Sequence, residues 1–378
     1  MAGTDPELRP ELAALAPYNA GLTLAEVAAR PGVTRVAKLG SNENPHGAGP
    51  AVGQALRAAI GDIGQYPDPV GRALAADLAE LHALRPEQFT LGNGSEDLLA
   101  VLARTVLRPG DEVVTLFPSF PLHEDYALAM GATVTRIGLT PEGRIDLAAL
   151  LAAVARPVRL VLFANPMNPA GVWLSPEQMA GVLASVHPEA ITCIDEAYHE
   201  YAQVPVEGQP GYASAEALIG SHPGPLLILR TFSKAWGLAG LRIGYGFTNS
   251  LELKRGLDLA RTPFNANTMA QVAARAALAH RAPMEAAVAL AAAERGRLAD
   301  ALRAMGLRVL PSRGNFLFVD AGQPSSLLAA RLLDRGVIVK PWRQPGYETW
   351  FRVSTGAPQD GDQFLDALAE ALSFQAST

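Results

Sequence analysis

The run Thr231-Phe232-Ser233-Lys234-Ala235-Trp236-Gly237-Leu238-Ala239-Gly240-Leu241-Arg242 sets a serine, a lysine and an arginine just past the apolar stretch 226–229. A lysine held at the end of a strand, partly kept from water, loses its proton more easily and becomes a nucleophile toward a carbonyl. A serine hydroxyl and a guanidinium close by can hold a phosphate. The two features together point to a cofactor with both an aldehyde and a phosphate, which describes pyridoxal phosphate bound as a Schiff base. Taken alone, the Ser-Lys pair is also explained by a solvated loop, so the other motifs carry the decision.

Asn165-Pro166-Met167-Asn168-Pro169-Ala170-Gly171 follows an apolar run that ends at Ala164. Asn, Pro and Gly are turn residues, and a plain turn is one reading. In open α/β sheets, however, ligands sit at the carboxyl ends of strands, where the Asn168 amide can reach a ligand oxygen. Asp195-Glu196-Ala197-Tyr198 ends the next apolar run. Asp195 is there as a helix cap or as the partner of a pyridinium nitrogen, which would keep the ring an electron sink. Tyr198 would then reach the ring's phenolic oxygen. Leu91-Gly92-Asn93-Gly94-Ser95-Glu96-Asp97 opens a helix whose first N–H groups suit either their own side-chain caps or a phosphate. Phe120 is a core aromatic or a ring that stacks on a planar cofactor. Arg352, within Trp350-Phe351-Arg352-Val353-Ser354, is an edge-strand residue or the bidentate partner of a substrate carboxylate.

These residues need a frame. Apolar strand-like runs at 112–116, 133–137, 158–164, 191–195, 226–230 and 243–247 alternate with helical patterns at 95–107, 121–130, 146–154 and 176–186. Such alternation predicts an α/β fold with a mostly parallel central sheet covered by helices on both faces. Beyond about residue 261 the pattern changes. Helices at 267–280 and 284–305 precede strands at 307–310, 316–319, 337–339 and 351–354, with helices at 325–335 and 360–373. That reads as a smaller α+β domain. The division expected is an N-terminal arm at 1–45 that joins the small domain, a large domain at 46–262 and a small domain at 263–378.

The 378 residues are 49% apolar and 18% charged, as in a globular chain with a substantial core. A net charge of −6 speaks against nucleic acid as a partner. The single cysteine, Cys193, leaves no intramolecular disulfide and no cysteine-based zinc site, and the seven histidines have no metal-ligand spacing. Residues 1–15 do not read as a secretory signal, and the Ala/Leu-rich stretch 284–302 is broken by charges, so a soluble cytoplasmic protein without a membrane span is expected. No phosphate-loop, His-Glu-x-x-His or Gly-x-Ser-x-Gly pattern is present.

In their order, these motifs resemble the fold-type I pyridoxal-phosphate aminotransferases, and among them most of all the histidinol-phosphate aminotransferases. The resemblance also covers Leu15-Ala16-Pro17-Tyr18, Lys38-Leu39-Gly40-Ser41-Asn42-Glu43-Asn44-Pro45 and Gln65-Tyr66-Pro67-Asp68-Pro69. It implies that Lys234 forms the Schiff base and moves protons, and that Asp195 pairs with the pyridine nitrogen. Asn168 and Tyr198 would hold the phenolic oxygen, and Phe120 would stack on the ring. Gly94, Ser95, Ser233 and Arg242, with Glu96 in the same turn, would surround the phosphate. Tyr66 would reach that phosphate from a second subunit, which implies a homodimer with shared sites. Arg352 would bind the α-carboxylate of glutamate, with Tyr18 and Asn315 also on the substrate side. Lys340 stands where the family's substrate-phosphate arginine is expected, and Arg343 follows it. The implied reaction moves an amino group from glutamate to imidazole acetol phosphate, giving histidinol phosphate and 2-oxoglutarate. The lysine at 340 leaves room for aromatic oxo acids, and an amino-acid phosphate decarboxylase would share the cofactor contacts.

Overall fold

Alternate residues of the central strands feed two different cores. In the strand Glu112–Leu116, Val113 faces one cluster with Leu160, Leu162, Cys193, Leu227 and Leu229, while Val114 and Leu116 face another with Val161, Phe163, Ile194 and Ile228. A sheet buried on both faces needs apolar side chains at every position, which is why these strands read as continuous apolar runs. The computed structural model describes residues 7–13 and 15–373; residues 1–6 of the N-terminal arm, Ala14 and 374–378 lie outside the described residues.

In chain order the strands are β1 (Ala37–Lys38), β2 (Phe89–Gly92), β3 (Glu112–Leu116), β4 (Thr133–Ile137), β5 (Leu160–Ala164), β6 (Ile191–Asp195), β7 (Leu226–Thr231), β8 (Gly244–Thr248), β9 (Arg308–Val309), β10 (Phe316–Asp320), β11 (Val337–Ile338), β12 (Lys340–Pro341) and β13 (Trp350–Ser354). Seven of them form the large sheet in the order β2-β8-β7-β6-β5-β3-β4. All its pairings are parallel except those of β8, which runs antiparallel to both β2 and β7. Helices Ser95–Val106 and Leu251–Ala260 cover one face; Arg72–His82, Leu147–Val154, Pro176–Ser185 and Thr268–Ala279 cover the other.

The smaller sheet is antiparallel, ordered β12-β13-β10-β9, and has its own core around Leu298, Leu317, Leu328, Phe351 and Phe364. β13 therefore lies inside this sheet, not at its edge. β1 pairs in parallel with β11, Ala37 opposite Val337, which ties the N-terminal segment to the C-terminal part of the chain. No helix among the described residues is long and apolar enough to cross a membrane.

Candidate active site

Four loops leave the carboxyl ends of β3, β5, β6 and β7 and converge, as expected of a parallel sheet. Lys234 follows β7. It is partly buried, and its Nζ donates to the Ser41 carbonyl at 3.1 Å, with no ion pair to a carboxylate among the described residues. Burial, reinforced by the charge of Arg352, lowers its pKa from 10.5 to about 8. The Tyr198 ring lies 5.9 Å from Nζ. Tyr198 is itself buried, which pushes its hydroxyl up to about 12, and that hydroxyl accepts from the Asn42 amide at 2.9 Å.

Asp195 ends β6 and is buried. One carboxylate oxygen accepts from the Ala197 N–H at 3.0 Å, and the other faces Nε2 of His123 at 3.0 Å. His123 has no motif around it, and no sequence signal marks it; its contact with Asp195 spans 72 residues. The Phe120 ring meets His123 edge-on at 5.7 Å and Tyr18 edge-on at 6.0 Å, so it lies beside Asp195's partner at the mouth of the site.

The helix Ser95–Val106 begins without a side-chain cap. Its N-cap is Gly94 at φ 85°, and the nearby acids are engaged elsewhere: Asp97 accepts from the Asn93 N–H and the Asn265 amide, and Glu96 accepts from the Tyr126 hydroxyl. Across this helix start stands Arg242, whose Nη1 donates to the Ser233 hydroxyl at 3.3 Å and Nη2 to the Asn93 carbonyl at 3.3 Å. A Cβ on Gly94 would sit 2.4 Å from Arg242 Nη2. Free N–H groups, a hydroxyl and a guanidinium thus enclose one small space, and that donor set fits a phosphate.

Arg352 carries the clearest electrostatic demand. It is 7% exposed; Nη1 donates to Asn168 Oδ1 and Nη2 to the Gly40 carbonyl, each at 2.6 Å, and Nε has no partner. A buried cation held only by neutral oxygens calls for an anion. Because Arg352 takes the amide oxygen of Asn168, the Nδ2 donor is left for something else. On the neighbouring strand, Lys340 is the register partner of Arg352, so two like charges stand opposite each other on one face. Lys340 donates to the Asn19 carbonyl, and burial with the charges of Arg352 and Arg343 lowers it to about 8. Arg343 is exposed and has no hydrogen bond or ion pair among the described residues.

Other expected residues stand differently. Asn315 is buried and braces the N-terminal segment, donating to the Asn42 carbonyl at 3.1 Å. Tyr18 is 53% exposed, and Tyr66, 82% exposed, stacks on Phe264 at 4.6 Å. Gly40, Ser41 and Asn42 emerge as contacts of Arg352, Lys234 and Tyr198. The segment 38–45 was readable as a motif, but not the role of each of its atoms.

A family model described as aminotransferase class I and II matches residues 34–368. Histidinol-phosphate aminotransferase 3 of Rhizobium meliloti (strain 1021) is 50% identical over 374 residues, covering 98% of this chain and 99% of that protein. Histidinol-phosphate aminotransferase 1 of Mesorhizobium japonicum is 50% identical over 372 residues, covering 98% and 100%. Among solved structures, histidinol-phosphate aminotransferase from Sinorhizobium meliloti in complex with pyridoxal-5'-phosphate superposes with a TM-score of 0.86 at 30% identity, covering 99% of each chain. With this match and a lysine of depressed pKa just past a strand of the central sheet, the chain belongs to the class I and II aminotransferases, in the fold-type I architecture.

Proposed function

We propose that this chain is a pyridoxal-phosphate-dependent aminotransferase that moves the amino group of glutamate to imidazole acetol phosphate, yielding histidinol phosphate and 2-oxoglutarate in histidine biosynthesis. The observation that carries the reading is Arg352: a buried guanidinium with only neutral partners, facing Lys340, at a site whose lysine has lost basicity. Near-full-length identity of 50% to relatives named for histidinol phosphate supports the choice of acceptor.

When bound, pyridoxal 5'-phosphate supplies the carbonyl that takes up the amino group and a ring that accepts the electron pair released at the substrate Cα. The phosphate is held by the N–H groups of Ser95 and Glu96 at the uncapped helix start, the Ser233 hydroxyl and the Arg242 guanidinium, with Gly94 giving the clearance. Asp195, oriented by His123 and the Ala197 N–H, presents a fixed negative charge to the ring nitrogen. Asn168 Nδ2 and the Tyr198 hydroxyl hold the phenolic oxygen, and Phe120 lies against the ring. Lys234 Nζ, half deprotonated near pH 8, takes the proton from the substrate Cα and returns it on the other side of the transfer. Arg352 binds the α-carboxylate of glutamate, while Lys340 and Arg343 take the acceptor's phosphate. Tyr18 lines the substrate mouth, and Asn315 holds the segment that carries Asn42.

The working form is a homodimer in this reading. Ile60, Ile63, Tyr66, Val70 and Phe264 are all exposed apolar residues, and Tyr66 and Phe264 stack on each other. A second copy seated there buries them and delivers Tyr66 to the phosphate of the neighbouring site.

A half-reaction screen tests the assignment. The holoenzyme is treated with glutamate until its visible absorption band bleaches, and the acceptors are then added one by one. Imidazole acetol phosphate is expected to restore the band. Recovery with phenylpyruvate alone would overturn the acceptor, and carbon dioxide release without any acceptor would overturn transamination.

A further inference from the structure

The strand ends that present Asp195 and Lys234 carry a second, buried set of charges. The β6–β7 ladder ends with Asp195 opposite Leu229, and its last backbone bond runs from the Glu196 N–H to the Leu229 carbonyl at 2.9 Å. Neighbouring residues of a strand point to opposite faces, so Glu196 and Arg230 turn away from the face of Asp195. There Arg230 donates to Glu196 through Nε at 3.2 Å and Nη2 at 3.0 Å. The same Nη2 reaches the Ser214 hydroxyl at 2.9 Å and Glu216 at 2.8 Å. Glu196 accepts in addition from the Ser214 hydroxyl and, at 2.8 Å, from the Ala215 N–H. Glu216 continues to His82 Nδ1 at 2.7 Å, and His82 Nε2 to the Tyr245 hydroxyl at 3.1 Å. His199 Nδ1 stands 3.6 Å from Glu196, and the guanidinium lies 5.5 Å from the Phe247 ring centroid.

The side chains of Glu196 and Arg230 are 0% and 6% exposed. Desolvating such a pair costs about what its attraction returns, so stability alone does not account for it. What the pair supplies is geometry. Beyond the Leu229 carbonyl the ladder has no further rung between β6 and β7: β6 ends at Asp195, while β7 runs on to Thr231 beside β8. The Arg230–Glu196 contact replaces the missing rung. Glu196 directly follows Asp195 and shares a turn with Tyr198, and Arg230 opens the run that leads to Ser233 and Lys234. A shift at this contact moves both sides of the site. One guanidinium also faces two carboxylates, Glu196 and Glu216, which would repel each other without it.

We propose that Arg230 is a positioning residue: by gripping Glu196 and Glu216 at once it fixes the span between Asp195 and Lys234, and with it the seat of the cofactor ring. This inference rests on the function proposed above. Arg230→Lys keeps the charge but replaces the planar guanidinium, which bonds Glu196 through both Nε and Nη2, with a point charge on a flexible stem, so the two carboxylates are held less firmly. Its holoenzyme is compared with wild type by visible circular dichroism of bound pyridoxal phosphate, by the pH midpoint of the cofactor's absorption, and by kcat and KM in the glutamate half-reaction. The expected result is a weakened dichroism band, a displaced midpoint and a kcat lower by about tenfold or more, with KM within about threefold. Glu216→Gln, at the less buried end of the network, is expected to move the same readouts in the same direction by less, and decides the matter if Arg230→Lys does not fold. Variants that melt at a lower temperature yet keep the wild-type dichroism, midpoint and kcat overturn the proposal. If wild type binds the cofactor but does not react with glutamate, the functional reading fails, while the dichroism still tests Arg230.

Discussion

Lys234 and Arg352 are both cations kept from water, with opposite consequences. Burial makes the lysine ready to give up its proton; the arginine cannot do so and must find an anion. With Lys234 at about 8 in place of 10.5, capture of pyridoxal phosphate by cofactor-free protein should speed up with pH to a midpoint near 8 and then level off, followed by stopped-flow absorbance. A rate still climbing past pH 10 would mean an unperturbed lysine. The linkage to stability has the same origin. Between about 8 and 10.5 the unfolded chain holds a proton that the folded chain has released. The cost of burying Lys234 is thus fully present below pH 8 and is relieved as pH rises through that window. Lys234→Ala should show neither turnover nor a visible band, and normal turnover in that variant would sink its assignment. For Arg352→Ala we expect kcat/KM for glutamate to fall by roughly 30- to 1000-fold, or about 2–4 kcal/mol, with the cofactor band retained. Steady-state kinetics with an unchanged constant for glutamate would remove Arg352 from the carboxylate site.

Among the elements, the start of the helix Ser95–Val106 is the most exacting. Gly94 needs a backbone conformation that L side chains seldom adopt, and it also leaves the space that Arg242 fills. Gly94→Ala should therefore cost about 1–3 kcal/mol, seen as a weaker Kd for pyridoxal phosphate in a spectrophotometric titration; an unchanged Kd would show that the cradle tolerates the methyl group. The sequence was most readable where structure is most local. β3 and β5 through β7 appear as apolar runs because both faces of the sheet are covered, and the polar residues that follow them mark the strand ends where chemistry gathers. β2 is harder to see, since its four residues end in the glycine of a turn-like stretch. The helices Pro50–Ala59 and Leu251–Ala260 each carry an internal glycine, Gly53 and Gly256, which weakens the helical pattern. The side-chain cap that was one of two readings of the helix start at Ser95 is absent: its N-cap is Gly94, and Asp97 and Glu96 accept from Asn265 and Tyr126, partners that no short-range rule reveals. His123 was out of reach for the same reason, and so was the grip of Arg352 on Asn168, which joins residues 184 positions apart.

At the scale of the whole molecule, in the proposed homodimer the exposed apolar set around Tyr66 would tie assembly to cofactor binding. Ile63→Arg places a charge in that patch and should convert the dimer into monomers by light scattering after gel filtration, with a loss of cofactor affinity. A dimer of normal affinity would move the interface elsewhere. The N-terminal segment adds a different constraint. Residues 37–38 pair with 337–338, Asn42 is pinned by Ser354, and this same stretch supplies the carbonyl beside Lys234 and the amide beside Tyr198. It leaves the ribosome long before the residues it pairs with. Crossing the 312 residues from Asn42 to Ser354 takes roughly 15–60 s at about 5–20 residues per second. Through that interval a growing chain can finish the large sheet and the phosphate cradle while the reactive lysine lacks its lid. Synthesis thus delivers the nucleophile before its enclosure, and the site closes only once Arg352 and Ser354 have been made.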